Sequence, residues 1–324
     1  DLGSQFDITT SEGQSYALFF SLVANDKSTF DSLLDWTEIH LSEGDLSTRL
    51  PAWQWGVEKG EGKILDSNPA ADSDLWIAYT LSQAAKLWQE RRYAVLSSVL
   101  AERIIREETA RIPNLGLTLL PGPSGFKKQG SWKLNPSYAP LFILKQFAEL
   151  YPHSPWQQLH DNSAKMLINT APKGFSPDWV NYSVEKGFYH DKRSPAVGSF
   201  NAIRVYLWVS MMADGATYKT ELIQQFAPMA EYIIESGKVP LEADALSGKT
   251  SGTGPSGFTG ALLPMLKTMQ ASQLITTLQQ QLMMDTRFTT TRYYDSVLSL
   301  FGTSSLNQRF KIDKEGNLIP NWSA

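Results

Sequence analysis

The sequence predicts an all-α protein, a helical barrel in one domain, and three observations support this. Apolar residues recur at the spacing of amphipathic helices through eleven segments. Four long loops, at 42–71, 110–136, 171–200 and 237–255, follow alternate helices and are rich in Trp, Gly, Pro and Asp. No linker-like stretch divides the chain, so we assign residues 1–324 to one domain. Long loops in a compact domain are usually functional, so we expect them to build a surface at one end of the barrel.

The helices are placed by their apolar periodicity. The clearest patterns run over 16–24 and 77–88, and Ser11 is a candidate N-cap for the first of them. Strand signals are few, and the best candidates are Leu117–Leu120 and Arg309–Ile312. The other predicted helices lie at 28–41, 92–109, 137–151, 155–170, 201–213, 218–236, 256–268, 270–284 and 291–302.

Composition excludes several classes of protein. The net charge is only -4 and no basic stripe is present, which argues against a nucleic-acid partner. No apolar run reaches the roughly 18 residues of a membrane span. The absence of cysteine excludes disulfides, thiolate metal sites and a cysteine nucleophile. The 10 Trp, 12 Tyr and 15 Phe fit a large aromatic core and also a sugar-binding surface, and one chain can have both.

Three common catalytic and binding motifs are missing or out of context. Residues Gly252–Gly257 fit G-x-G-x-x-G, but a polar loop precedes them and Pro255 interrupts them, so we interpret them as a loop at a helix start. None of the four histidines is paired at i, i+4, which argues against a zinc site. No G-x-S-x-G elbow is present, so a serine hydrolase of the α/β type is not supported.

Three segments place acids or amides at predicted helix starts. Glu12 is either a carboxylate favoured by the helix dipole or, in an aromatic pocket, an acid able to protonate a glycosidic oxygen. Asp72 and Asp74 open a second helix, and one N-cap requires only one of them. Asn201 and Arg204 share one face of a third helix start, where the simpler interpretation is a cap and a solvated side chain.

The second of these segments resembles the signature helix of the family 8 glycoside hydrolases. That signature has a small residue, Asp, a small residue, Asp, two variable residues, Ile or Met, Ala, and a closing Trp. Here Ala71–Ala78 and Trp88 supply every element of it. The resemblance extends along the chain, in particular to the endoglucanases encoded beside bacterial cellulose synthases. Further matching stretches are Leu50–Trp53, Asn135–Tyr138, Ala171–Trp179 and Tyr293–Tyr294.

The resemblance implies an (α/α)6 barrel, two concentric rings of six helices with a cleft at one end. Eleven predicted helices are one short, and only ten residues precede Ser11, so we expect the family's first helix to be absent from this sequence. It also implies hydrolysis with inversion, without cofactor or metal, by two carboxyls roughly 6.5–9.5 Å apart with a water between them. The implied partner is a β-1,4-glucan chain, and we expect a monomer.

Activity on chitosan, xylan or mixed-linkage glucan is an open alternative, because other members of the family cut these polymers. The sequence begins at Asp1 rather than at a methionine. We therefore expect a secreted or periplasmic protein whose signal peptide is absent from this sequence.

The resemblance assigns roles residue by residue. Glu12 matches the general acid, and Asp72 matches the acid that binds the sugar at the cleavage point and favours its distorted ring. Tyr138 matches a tyrosine that helps to hold the attacking water. Arg204 matches an Arg beside the base and belongs with Trp53, Trp179 and Tyr294 to the substrate-binding residues. We expect the rings of Trp53, Tyr138, Trp179 and Tyr294 at one end of the barrel near Glu12 and Asp72.

Asn201 stands where the commonest branch of the family has the general base, an Asp. An amide has no basic oxygen near neutral pH, so Asn201 can hold a water but cannot take its proton. Either a single Asp→Asn replacement has disabled the enzyme, or the base comes from an upstream loop, where Asp191 is the candidate. The competing functions are therefore an endoglucanase, a glucan-binding protein with little catalysis, and a helical scaffold without oligosaccharide affinity.

Overall fold

A computed structural model of the chain describes residues 7–284 and 293–322. Eleven α-helices lie within these ranges, and all eleven predicted helical segments are confirmed. None of these helices is long and apolar enough to cross a membrane. The helices are α1 (Ser11–Val23), α2 (Lys27–Leu41), α3 (Ala71–Trp88), α4 (Arg91–Glu107), α5 (Leu141–Leu150), α6 (Trp156–Asn169), α7 (Ile203–Met211), α8 (Lys219–Ser236), α9 (Ser256–Thr268), α10 (Ser272–Met284) and α11 (Tyr293–Leu306).

Alternate helices form an inner ring. The odd-numbered helices contact one another in chain order from α1 to α11. The ring closes where Phe301 of α11 packs against Tyr16 and Phe19 of α1, with ring centroids 5.2 and 5.4 Å apart. The even-numbered helices lie outside, each packed on the inner helix before it. The described part of the chain thus has the two-ring layout of an α/α barrel, with six inner helices and five outer ones.

Trp76 of α3 lies in the middle of the barrel and has no exposed surface. Rings from four inner helices surround it, with centroids 5.1 to 5.9 Å away and mostly edge-on or tilted. Each such aromatic pair adds about 0.5–1.5 kcal/mol beyond its buried area. The surrounding rings belong to Tyr16, Phe19, Phe142, Trp208 and Phe301. Much of the aromatic content is therefore barrel core.

Fourteen short strands occur in the described loops, whereas the sequence predicted two of them, β5 and β13. They form five small antiparallel sheets, ordered β1-β2-β3, β4-β5, β6-β7-β8-β9, β10-β11-β12 and β13-β14. The sequence missed most of them because strands of two to six residues are too short to show a period of two. The strands are β1 (Thr9–Thr10), β2 (Gln54–Glu58), β3 (Glu61–Asp66), β4 (Thr109–Ile112), β5 (Gly116–Leu119), β6 (Lys127–Lys128), β7 (Ser131–Leu134), β8 (Val180–Ser183), β9 (Gly187–Tyr189), β10 (Val197–Gly198), β11 (Glu242–Asp244), β12 (Thr250–Ser251), β13 (Phe310–Ile312) and β14 (Leu318–Pro320).

The predicted caps at two helix starts are wrong. Helix α1 is capped by Thr10, whose side chain accepts a hydrogen bond from the N–H of Gly13, and Ser11 is already helical. Helix α3 has no side-chain cap, so neither Asp72 nor Asp74 serves in that role. Both acids lie buried in the first turn, where the helix dipole favours negative charge.

Candidate active site

The N-terminal ends of the inner helices meet at one end of the barrel, because each outer helix returns the chain to that end. Glu12 lies in the first turn of α1 and Asp72 in the first turn of α3. Tyr138 ends a short 3-10 turn before α5, and Asn201 lies two residues before α7. Tyr294 lies in the first turn of α11. The long loops with their small sheets precede these helices and surround the same end.

Glu12 has the environment of a proton donor. Its side chain is half-buried, and the indole Nε1 of Trp53 donates a hydrogen bond to Oε2 at 2.9 Å. Burial, reinforced by the negative charge of Asp72, raises the pKa of Glu12 to about 7. A carboxyl group with such a pKa is still largely protonated at mildly acidic pH and can deliver that proton.

Asp72 is buried opposite Arg204. Its Oδ1 accepts the N–H of Ser73 at 2.9 Å, and the hydroxyl of Ser11 donates to the hydroxyl of Ser73, which ties α1 to α3. Its Oδ2 lies 3.6 Å from Nη2 of Arg204. Burial raises the pKa of Asp72, although Arg204 acts in the opposite direction. Asp72 is thus a second carboxyl group at the same end of the barrel as Glu12.

Arg204 connects several of the predicted residues. Its guanidinium is buried and donates from Nη2 to the hydroxyl of Ser137 and to Oδ1 of Asn201, both at 2.9 Å. The same guanidinium lies 5.7 Å from the ring centroid of Tyr138, within cation–π range. Arg204 is therefore not the solvated side chain of the simpler interpretation, because it is fixed between α7, the turn before α5 and Asp72.

Asn201 presents its oxygen to the protein. Besides the bond from Arg204, its Oδ1 accepts a hydrogen bond from Nδ2 of Asn135 at 3.0 Å. An arginine can only donate hydrogen bonds, so the side-chain oxygen of Asn201 must face Arg204. The NH2 group of Asn201 therefore points the other way. An amide NH2 offers no lone pair to a water proton. A carboxylate at the same position would keep both bonds on one oxygen and present a second, basic oxygen in place of the NH2 group.

Asp178 is a residue that the sequence analysis missed. Its Oδ1 accepts three backbone N–H groups, from Ser199 at 2.8 Å, Asn201 at 2.9 Å and Ala202 at 2.8 Å. These N–H groups lie at the start of α7, and the first N–H groups of a helix have no acceptor within the helix itself. Asp178 therefore fixes the backbone that carries Asn201. Asp178 lies within the matching stretch Ala171–Trp179, but the sequence gives it no role, because a cap from a distant loop leaves no local pattern.

Aromatic rings line the cleft around Tyr138. The ring of Trp179 lies 6.0 Å from that of Tyr138 and 6.0 Å from that of Phe126, and is nearly parallel to the latter. Nζ of Lys133 lies 4.4 Å from the Trp179 ring. Trp53 and Phe200 are 37 and 50% exposed, so flat apolar faces are open to a ligand.

Tyr294 joins the start of α11 to the loop before α7, since its hydroxyl donates to the carbonyl of Phe200. Burial raises the pKa of Tyr294, while Arg204 lowers it. A cavity of about 570 Å³ lies beside Phe200. Its lining includes the G-x-G-x-x-G loop, so this motif belongs to the surroundings of the site: Phe200, Leu241, Thr253, Gly254, Pro255, Ser256 and Asp295. The predicted start of the last helix at 291 falls outside the described residues.

Asp191 lies in an exposed turn. Its Oδ1 accepts the N–H groups of Arg193 at 2.8 Å and Ser194 at 2.9 Å. These backbone hydrogen bonds lower the pKa of Asp191, which makes it a weaker base. The geometry therefore gives no support to Asp191 as a substitute for the missing carboxylate. Among the described residues, no group of three or more His, Cys, Asp or Glu side chains could hold a metal ion.

A proton donor with a pKa near 7, set beside partly exposed aromatic rings at one end of the barrel, is the arrangement with which glycoside hydrolases protonate a glycosidic oxygen. The comparison with known proteins leads to the same class. Residues 1–308 match the family described as glycosyl hydrolases family 8. The chain belongs to this family.

Relatives in sequence and structure are similar over almost the whole chain. An endoglucanase of Escherichia coli K12 is 43% identical over 316 residues, which are 97% of this chain and 84% of the relative. An endoglucanase of Salmonella typhi is 42% identical and covers 99% of this chain and 86% of its own length. The crystal structure of an endo-1,4-D-glucanase from Vibrio fischeri ES114 superposes with a TM-score of 0.94 at 42% identity, covering 100% of this chain and 96% of that one. The predicted (α/α)6 barrel is confirmed by these matches.

Proposed function

We propose that this chain is an endo-β-1,4-glucanase whose turnover is limited by Asn201. The observation that carries the proposal is the Trp53–Glu12 hydrogen bond in a cleft whose burial raises the pKa of Glu12 to about 7. The names of the relatives, endoglucanase and endo-1,4-D-glucanase, support a glucan as the substrate. The open ring faces of Trp53 and Phe200 support binding within a chain, because stacking tolerates sliding.

In this proposal Glu12 donates its proton to the glycosidic oxygen as the bond to the anomeric carbon breaks. Asp72 binds the sugar at the cleavage point, and Tyr138 and Asn201 hold the attacking water on the opposite face. The water oxygen bonds to the anomeric carbon with inversion, and its proton must leave to a base. Asn201 cannot accept this proton, so this is the step that limits the rate.

Release of reducing ends from carboxymethylcellulose, lichenan, xylan and chitosan tests the substrate. We expect release from the two glucans, slow in this chain and absent when Glu12 is replaced by Gln. Release from xylan or chitosan without release from either glucan would reject the glucan assignment. Proton NMR of the first-formed anomer tests inversion, since a retained β-configuration would contradict it.

A glucan-binding protein with little catalysis is the second candidate, and the bonding of Asn201 favours it. Titration calorimetry with cello-oligosaccharides separates the two functions when it is combined with long incubations. Binding without any product favours the binding protein, and binding with slow product favours the hindered enzyme.

We also propose a location outside the cytoplasm, because a glucan polymer does not cross a membrane and its hydrolase must reach it. Fractionation of the native cells tests this, and recovery of the protein in the cytoplasm alone would contradict it.

A further inference from the structure

Two carboxyl groups with no place in the mechanism above are buried beneath the site. Asp74 lies in the first turn of α3, two residues after Asp72, and Glu108 is the C-cap residue that follows α4. Neither residue has any exposed surface. The two carboxyl groups act on each other, and none of their four oxygens has a hydrogen-bond partner in the described part of the chain.

Among the described residues, neither Asp74 nor Glu108 forms an ion pair with a cation. The largest effects of other charged groups on the pair come from Asp72 of α3, Glu12 of α1 and Glu107 of α4, and all three are acids. Three arginines of α4 and α7 interact with other carboxylates: Arg204 faces Asp72, and Arg103 and Arg106 form ion pairs with Glu107. A buried carboxylate without a cation is costly, and such a group normally keeps its proton instead. Burial raises the pKa of both Asp74 and Glu108 well above the ordinary range.

The pair also lies where α3, α4 and one loop are tied together. The N–H of Ala71 donates to the carbonyl of Pro121 at 3.0 Å, and the N–H of Leu120 donates to the carbonyl of Glu108 at 2.7 Å. Because α3 has no side-chain cap, its first turn is held by this loop and by the hydrogen bond from Ser11 to Ser73. Asp74 lies in the same turn as Asp72, so the carboxyl pair links this turn to the end of α4.

We propose that Asp74 and Glu108 share a proton at neutral pH, and that this protonated pair positions the first turn of α3, and with it Asp72, for the reaction. The part that concerns Asp72 rests on the function proposed above. A carboxyl that keeps its proton can donate to its neighbour, which satisfies both buried groups. Loss of the proton places two like charges in contact without solvent, so the pair separates and the turn beneath Asp72 moves.

The pH dependence of folding tests the shared proton without any sugar. Above about pH 5 the unfolded chain has released this proton and the folded chain has kept it, so stability falls as pH rises. Each retained proton raises the unfolding constant about tenfold per pH unit. The double variant Asp74→Asn with Glu108→Gln keeps the shape and an N–H···O bond but has no proton to lose. We expect its pH slope to be shallower than that of the parent by about tenfold per unit or more.

The matched control is Glu107→Gln, because Glu107 is the adjacent carboxylate on α4 but is partly exposed and paired with two arginines. Its slope should equal that of the parent. Equal slopes in the parent and the double variant would overturn the proposal. If the double variant does not fold, infrared absorption of the chain with Glu12→Gln and Asp72→Asn decides, since this background removes the other two carboxyl groups whose pKa is raised. A protonated carboxyl band at pH 7 supports the pair, and absence of the band overturns it.

Affinity for cello-oligosaccharides tests the positioning of Asp72, measured in the Glu12→Gln background so that the general acid does not titrate. We expect affinity to weaken with pH together with stability, and to stay level when Asp74→Asn and Glu108→Gln are added. The same fall in both chains would reject the positioning role. No sugar binding in either chain would reject the proposed function instead, while the folding experiment still decides whether the proton is shared.

Discussion

Arg204 and Asn201 are joined by a hydrogen bond of 2.9 Å from Nη2 to Oδ1. The buried guanidinium of Arg204, which also lies close to Asp72, donates here to a neutral amide. A charged donor forms a stronger hydrogen bond with a carboxylate than with an amide. The backbone of Asn201 is fixed as well, since its N–H donates to Asp178 at 2.9 Å. The same contacts would accommodate a carboxylate at position 201, where this chain has an amide.

Replacement of Glu12 by Gln should remove the proton donor and preserve the shape of the cleft. A positioned general acid contributes roughly 10²–10⁴-fold, so we expect a loss of that order on unactivated glucan. Affinity for cello-oligosaccharides, measured by calorimetry, should remain, because an amide fills the same space. An unchanged rate would show that Glu12 is only a helix-start carboxylate.

The rate should fall as pH rises through about 7, because Glu12 must carry its proton to act and its pKa lies near that value. Well above it, the protonated fraction drops about tenfold per pH unit. This alkaline limb of the pH–rate profile is measured by the kinetics of cello-oligosaccharide hydrolysis. An aryl cellobioside has a good leaving group that needs less protonation, so its rate should fall less steeply above pH 7. The same fall on both substrates would indicate that another group titrates.

Replacement of Trp53 by Phe should move this alkaline limb to higher pH. The indole N–H donates to Oε2 of Glu12 and stabilises its charged form, which lowers the pKa. Without it, the pKa of Glu12 rises further. The matched control is Trp55→Phe, because Trp55 lies two residues on and its ring packs instead against Trp36 and His40. A limb at the parental pH in Trp53→Phe would contradict the role of this bond.

Replacement of Asp178 by Ala should destabilise the fold and weaken oligosaccharide binding. It removes the acceptor for the three N–H groups before α7, and loss of a capping side chain costs about 0.5–2 kcal/mol. Thermal unfolding measures this. Asp178→Asn is the control. Its amide oxygen can still accept these hydrogen bonds, so its loss of stability should be smaller than that of Asp178→Ala. Equal melting temperatures of the Ala variant and the parent would contradict the capping role.

The sequence predicted the helices well, because their apolar periodicity extends over ten or more residues. It placed the start of α5 too early, at residue 137, whereas Leu141 begins it after Pro140. A proline disfavours helical backbone in the residue before it, which accounts for the break. Glu12, Asp72 and Arg204 could be named from their helix-start segments.

Asp178, Asn135 and Glu108 received no role and Asp74 only that of a candidate cap, because their partners are distant in sequence and only folding brings them together. The distances between these partners along the chain range from 21 to 66 residues. The aromatic count could not separate core from cleft for the same reason. Trp76 is buried in the barrel, whereas Trp53 donates a hydrogen bond to Glu12. Both lie in segments rich in apolar residues, so the sequence alone does not distinguish them.

The most direct test is the hydrolysis rate of the Asn201→Asp variant on carboxymethylcellulose, measured beside the parent chain and Asp191→Ala. An aspartate should keep the bonds from Arg204 and Asn135 and present a basic oxygen to the attacking water. We predict a gain of roughly 10²–10⁴-fold, the contribution of a positioned general base, and no effect of Asp191→Ala. A parent chain that is already fast, and that Asp191→Ala inactivates, would contradict the account.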